Sequence, residues 1–307
     1  MKTFTLYFCK TDTRRQRKML LKFIINGIVT GLLYSMLAIG FALVYNTTRI
    51  LHIAAAGIYV FAAYMFWWLA SGLGLPLAVA AILAVLLSMV LSWLSDRALY
   101  RPLRKKKSSL NVMMVASIGL MTVIVNLLAM LFGNEARRVD NAYFEPVMLG
   151  GAVVTVPQLY QVITAVVSIS LFLILLTCTR FGSRIRALSA DETLFDILGY
   201  NRQQTYSVVF LVSGLFIGLA SCTTAYDVGL KPDLGMTVIV NAMVAMILGG
   251  SGRFGTCVLG GLTLGMLQAL VELRFSADWK NAVAFVVLLL ILFLRPQGLA
   301  GYKQRLV

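Results

Sequence analysis

Charge is what this sequence has least of. Only 13% of its 307 residues are Asp, Glu, Lys or Arg, and the acids number twelve. It also holds one histidine, four cysteines and six prolines. Each shortage excludes something. The cysteines (Cys9, Cys178, Cys222 and Cys257) lie far apart with no CxxC or other metal spacing. Most sit in or beside apolar segments, where Cys behaves as a small hydrophobe, so neither a metal site nor a disulfide is expected. No paired Asp, and no Ser or Cys with a partner His, offers the parts of an intramembrane protease. The carboxylates fall in loops or near the ends of apolar segments, with Glu272 the closest to an apolar run. An ion-coupled carrier usually needs a membrane-embedded acid or its equivalent to bind the coupling ion. The shortage therefore points away from a self-sufficient carrier and toward energy delivered by another subunit.

What is present in excess is apolar: 60% of the residues are hydrophobic. A soluble domain sits nearer half apolar and a quarter charged, so a bilayer has to take up the surplus. Apolar segments suited to spanning run roughly 23–45, 76–95, 110–132, 158–178, 205–224, 237–250, 256–274 and 281–294, of which 237–250 is short for a span. A further stretch, 53–71, follows the polar interruption 46–52. The first run is as long as a full span and lacks a signal peptide's short core and cleavage site, so it reads as a retained first helix. The expected fold is an all-α integral membrane protein, a polytopic bundle of about eight to ten transmembrane segments with a broken or re-entrant second segment.

The formal charge is +15. Clustering of the cations between apolar runs disfavours a nucleic-acid arm at the N-terminus. Seven Lys and Arg lie in residues 1–22 and six in residues 96–107, as expected of cytoplasmic segments. For both to face the cytoplasm, 46–71 must enter and leave by one face or be broken in mid-membrane. The acidic loop 133–157 then falls outside, while 179–204 and the tail fall inside. The chain is expected to divide into a basic N-terminal segment (1–22), a transmembrane domain (23–295) and a tail (296–307), with both termini cytoplasmic.

Two glycine patterns stand out. Gly261-Leu-Thr-Leu-Gly265 is a GxxxG pattern, read first as packing within the subunit and second as a dimer contact. The turn from Gly249 to Gly255 lacks GxxxxGK[ST], which argues against nucleotide binding there. The segment 184–201 is the candidate docking surface for an energy-supplying partner. Ser189 and Glu192 have the Ser-x-x-Glu spacing of a capping box, Asp191 and Glu192 would sit at the positive end of the helix, and Gly199 suits its C-terminal cap. Leu194, Phe195, Ile197 and Leu198 give that helix an apolar side. Membrane-surface helices carry cations on the polar face, whereas this one is acidic, which favours a protein partner over a lipid anchor.

Several stretches together resemble the branched-chain amino acid class of ABC permeases, a group that also includes urea and short-amide permeases. They are residues 26–40, Asp96-Arg-Ala-Leu-Tyr-Arg-Pro-Leu-Arg104, 184–201, Leu248-Gly-Gly-Ser-Gly-Arg-Phe-Gly255 with Gly260-Gly261, and 280–301. The resemblance implies a type II ABC-importer-like permease with no catalytic site and no cofactor of its own. ATP and Mg would be used by two cytoplasmic ATPase subunits, with a second permease subunit (or a homodimer) and an extracytoplasmic solute-binding protein completing the assembly. It makes 184–201 the coupling segment, with Arg186, Ala190, Asp191, Glu192, Leu194, Leu198 and Gly199 as the coupling residues. Branched-chain or related amino acids are the expected solutes; urea, short amides or another small solute, or an ATPase-independent channel, are the alternatives.

One stretch departs from the family. Where the family reads close to I-N-F-A-H-G-E, this chain reads Leu51-His-Ile-Ala-Ala-Ala-Gly57, a more apolar wall if the interruption lines the pathway. Candidate pathway residues are Asn46, His52, Gly57, Asn241, Gly249 and Gly250. His52 either contacts solute or satisfies backbone groups freed by the break. Asn46 and Asn241 suit helix–helix hydrogen bonds as well as solute contact.

Overall fold

The computed structural model describes residues 2–139, 147–149, 152–250, 254–275, 279–294 and 298. Twelve α-helices and one small hairpin are found among them. α1 (Lys2–Thr48), α2 (Ala55–Trp67), α3 (Leu77–Ser95), α5 (Leu110–Phe132) and α6 (Val156–Cys178) build the first half. α9 (Arg202–Asp227), α10 (Leu234–Gly249), α11 (Phe254–Arg274) and α12 (Trp279–Leu294) build the second. The short helices α4 (Arg101–Lys105), α7 (Arg180–Ala190) and α8 (Glu192–Ile197) lie in two of the connections. β1 (Val147–Leu149) and β2 (Ala152–Val154) pair antiparallel. Two π-helical turns, Trp68–Gly72 and Asp96–Tyr100, extend α2 and α3.

Seven helices are long and apolar enough to cross a bilayer, and α10 and α12 are shorter apolar helices. Their burial sorts them. α1 is the hub, mostly buried, while α3, α5 and α6 turn apolar residues such as Ile82, Val115 and Val167 outward. Outward apolar faces with small and polar residues turned inward are what a lipid solvent selects.

Small residues set the close crossings. The GxxxG pair of α11 packs on α1 within the chain: a Cβ on Gly261 would fall on Ser35, and one on Gly265 on Gly31. Ser35 exploits the approach, donating to the carbonyls of Gly31 and Val258. α3 and α9 meet in the same manner, with Ser88 Oγ donating to the Gly214 carbonyl at 3.0 Å and Ser92 Oγ to the Phe210 carbonyl at 2.6 Å.

Contacts between distant segments relate the helix ends to one another. Gly27 packs on Met266 and Ala269, late in α11, whereas Arg49 just beyond α1 donates to the Ser189 carbonyl in the connection before α9. The break at 49–54 therefore lies on the face that carries 179–201. From there α2 and its π turn run over Ala55–Gly72, long and apolar enough to cross, and Trp67 Nε1 at their far end donates to the Arg138 carbonyl. Eighteen apolar residues suffice for one crossing. The interruption expected between the first two apolar segments is found as the break at 49–54 between α1 and α2.

Candidate functional site

The connection between α6 and α9 holds the first candidate site. α7 begins at Thr179, whose side chain accepts from the Gly182 amide, and it buries Ile185 and Leu188. Arg186 reaches Ser183 Oγ, and Ala190 closes the helix. α8 then starts at Asp191, whose carboxylate accepts from the Thr193 and Leu194 amides at 2.8 and 3.0 Å. The Ser189–Glu192 capping box is not formed. Ser189 is still inside α7 and donates to the Arg186 carbonyl. Asp191 adopts the extended backbone a cap needs, and its carboxylate satisfies two orphan amides at once. Gly199, at φ +77°, ends the helix in the left-handed conformation expected of it.

The acids of α8 are engaged inside the chain. Glu192 accepts from the Tyr206 hydroxyl at 2.6 Å and pairs with Arg202 at 2.7 Å, and Asp196 also pairs with Arg202. Partial burial pushes the Glu192 carboxyl up, but Tyr206 and Arg202 outweigh it and hold the group below its usual range. Charge at the helix end is thus largely spent internally. The apolar side is what remains: Phe195 is buried at 1% exposure against Leu188 and Tyr206, whereas Leu194, Ile197 and Leu198 are 53%, 76% and 60% exposed. One aromatic anchors the helix and three aliphatic side chains face away from the protein.

The second candidate region is the break between α1 and α2. His52 is fully buried, and its Nδ1 lies 2.8 Å from the Tyr100 hydroxyl. Tyr100 donates to Ser117 Oγ at 2.7 Å, and Ser117 also accepts from the Ala54 amide at 2.8 Å. With the Tyr100 proton committed to Ser117, Nδ1–H is the donor to Tyr100, and Nε2 is left as a buried acceptor without a partner. The break's backbone is met by a serine of α5, not by His52. Asn46, at 3% exposure, also has both amide atoms unpaired.

The other proposed pathway residues are dispersed. Gly57 packs on Met121 and Ile124 of α5. Asn241 donates to the Tyr34 hydroxyl and accepts from Gln268 Nε2, both at 3.3 Å, and Gln268 also donates to the Lys280 carbonyl. Gly249 fits against the backbone of Thr256 and Cys257, and Gly250, at φ +98°, turns the chain out of α10. These six do not form one site. Tyr34, Tyr100, Ser117 and Gln268, which sequence reasoning passed over, complete two neutral polar clusters. A charged cluster lies at the end of α3, where buried Asp96 pairs with Arg104 and accepts from Ser207 Oγ at 2.9 Å. The signal for it was present in the Asp96–Arg104 stretch, where an acid and a base eight residues apart flank Tyr100.

Among the described residues no three His, Cys, Asp or Glu side chains gather as a metal site. The described residues form a multi-pass helical bundle with polar clusters between its helices and apolar faces turned outward, as a polytopic membrane protein requires. The chain belongs to the family described as branched-chain amino acid transport system / permease component, whose model matches residues 23–292. It is 24% identical over 294 residues to the high-affinity branched-chain amino acid permease protein LivH of Salmonella typhimurium, covering 91% of this chain and 94% of that one. It is 26% identical to BraD of Pseudomonas aeruginosa, covering 92% and 95%. In fold it is similar to PsaBC from Streptococcus pneumoniae, solved in complex with a Fab, with a TM-score of 0.52 at 16% identity over 91% of this chain.

Proposed function

We propose that this chain is the membrane-spanning subunit of an ATP-binding-cassette importer for branched-chain or related amino acids, driven by separate ATPase subunits that dock on α8. The observation that carries the reading is the outward apolar trio Leu194, Ile197 and Leu198 on a helix otherwise anchored by Phe195. Burying a Leu or Ile side chain is worth about 1.5–3 kcal/mol, so this trio is a natural anchor for a partner's groove. The face that carries α8 is the cytoplasmic one in this reading, because the connections 96–107 and 179–204 hold six and four of the Lys and Arg. A second permease subunit and an extracytoplasmic binding protein complete the assembly, and this subunit contributes no catalytic group.

Ile197→Asp combined with Leu198→Asp tests the docking role. Both side chains point outward, so the permease should insert and fold normally yet lose the ATPase subunits on co-purification. An intact complex would overturn the role of α8. The reconstituted wild-type complex should take up leucine, isoleucine or valine in preference to urea and short amides. The opposite preference would move the solute to the second group.

A further inference from the structure

The polar contacts at the basic face form a connected path from α8 to the helix break. Glu192 on α8 accepts from Tyr206 on α9. The Tyr206 ring carries the Arg104 guanidinium on its face, 4.6 Å from the ring centre. Arg104 pairs with Asp96, which is itself tied to α9 through Ser207. Asp96 opens the π-helical turn that Tyr100 ends, and Tyr100 holds His52 in the break. A second, shorter tie joins the same two regions. Arg49, held at φ +58° where a non-glycine residue is strained, donates to the Ser189 carbonyl just before α8.

Two features of this path do not serve stability. Arg104 leaves Nε and Nη1 buried and unpartnered while Asp96 takes only Nη2. Buried donors without acceptors cost free energy, and a buried ion pair is a weak source of stability. The π-helical turn is likewise a less favourable geometry than the α-helix it interrupts, and such turns collect at functional sites. Arg104 also stands within electrostatic reach of Glu192, so a shift of α8 would offer its idle donors a second carboxylate.

We propose that Arg104, Asp96 and Tyr206 are positioning residues that transmit displacement of α8 to the break at His52, so that nucleotide-driven movement opens the solute pathway. The inference rests on the docking role of α8 given above. Tyr206 reads the position of Glu192, Arg104 passes it across the Tyr206 ring to Asp96, and the π turn converts it into movement of Tyr100 against His52. The Arg49–Ser189 tie keeps the end of α1 in step with the same loop.

The test measures solute molecules transported per ATP hydrolysed by the complex reconstituted in liposomes with labelled leucine. Tyr206→Phe keeps the ring and removes only the hydroxyl. Arg104→Lys keeps the charge and removes the planar stack. Both variants should co-purify with the ATPase and hydrolyse ATP at nearly the wild-type rate, with transport per ATP reduced at least tenfold. Lys105→Ala, beside the path but outside it, should match wild type. A Tyr206→Phe complex that retains wild-type transport per ATP overturns the proposal. If wild-type permease binds no ATPase at all, the docking reading falls first and this inference with it.

Discussion

Gly265 of α11 and Gly27 of α1 meet across a crossing with no room for a side chain: a Cβ on Gly265 would stand 2.6 Å from the Gly27 carbonyl oxygen. Its other nearest neighbours would be backbone atoms of Gly31, so nothing flexible can move aside. Gly265→Val should therefore force α1 and α11 apart, at a cost of about 1–3 kcal/mol in line with overpacked cores. Gly119 of α5 has nothing within 4 Å and supplies the control. Thermal unfolding of the purified protein should show a lower midpoint for Gly265→Val and no decrease for Gly119→Ala.

The position of the helix break gives a prediction about accessibility. Arg49 is exposed and bonded to the Ser189 carbonyl, so a cysteine there should be labelled from the same side of the membrane as one at Ser108. A cysteine at Gly74, beyond the end of α2, should be labelled from the other side. Both are read in a background where exposed Cys178 is replaced by Ser. Labelling of Arg49→Cys and Gly74→Cys from the same side of the membrane would mean that α2 does not cross.

Most of the helices were legible because lipid imposes a simple rule. The run read at 110–132 is α5 (Leu110–Phe132) to the residue, and those at 76–95 and 256–274 are within two residues of α3 and α11. The contacts of Gly27 with α11 and of Arg49 with Ser189 have no local pattern, so they became visible only in the fold. The cap of α8 was misplaced by two residues because Ser189 and Asp191 both precede a plausible helix. Only the fold shows that α7 runs through Ser189. The polar clusters were only half visible: Asn241 and His52 stood out, but their partners Tyr34, Gln268, Tyr100 and Ser117 are ordinary residues until helix packing brings them together.

The Asn241 cluster yields a stability prediction. Asn241 bridges Tyr34 on α1 and Gln268 on α11, and all three lie in the buried interior. Interhelical hydrogen bonds in membranes are modest, so Asn241→Leu should destabilise by about 1 kcal/mol. Gln268→Leu should cost a similar amount. The double variant should cost less than the two together, since each single change already removes the Asn241–Gln268 bond. Unfolding equilibria in detergent or bicelles measure this directly; strict additivity would show that the two side chains act independently.

Glu192 makes the attachment of α8 dependent on pH in one direction. Its carboxyl is held below the ordinary value of 4.5: burial opposes this, and the Tyr206 hydroxyl and the Arg202 guanidinium prevail. A group whose folded pKa is depressed stabilises the fold fully above its unfolded value and loses that contribution as pH falls through the folded one. Protonation removes the charge that Arg202 and Tyr206 recognise, so α8 should loosen from α9 on acidification below about 4.5 and not on alkalinisation toward 8. Because Glu192 is substantially exposed, water weakens the pair and the effect is small. Hydrogen exchange of the α8 amides, normalised to intrinsic rates at each pH, reads it out. Wild type should hold its protection above 4.5 and lose it below, while Glu192→Gln, which cannot ionise, should begin with less protection and change less over the same range. Because the Asp191 cap is present in both proteins, the difference between their profiles isolates the contact of Glu192 with Tyr206 and Arg202. Identical profiles would mean that Glu192 contributes nothing to holding α8, leaving Phe195 and the Asp196–Arg202 pair to do so.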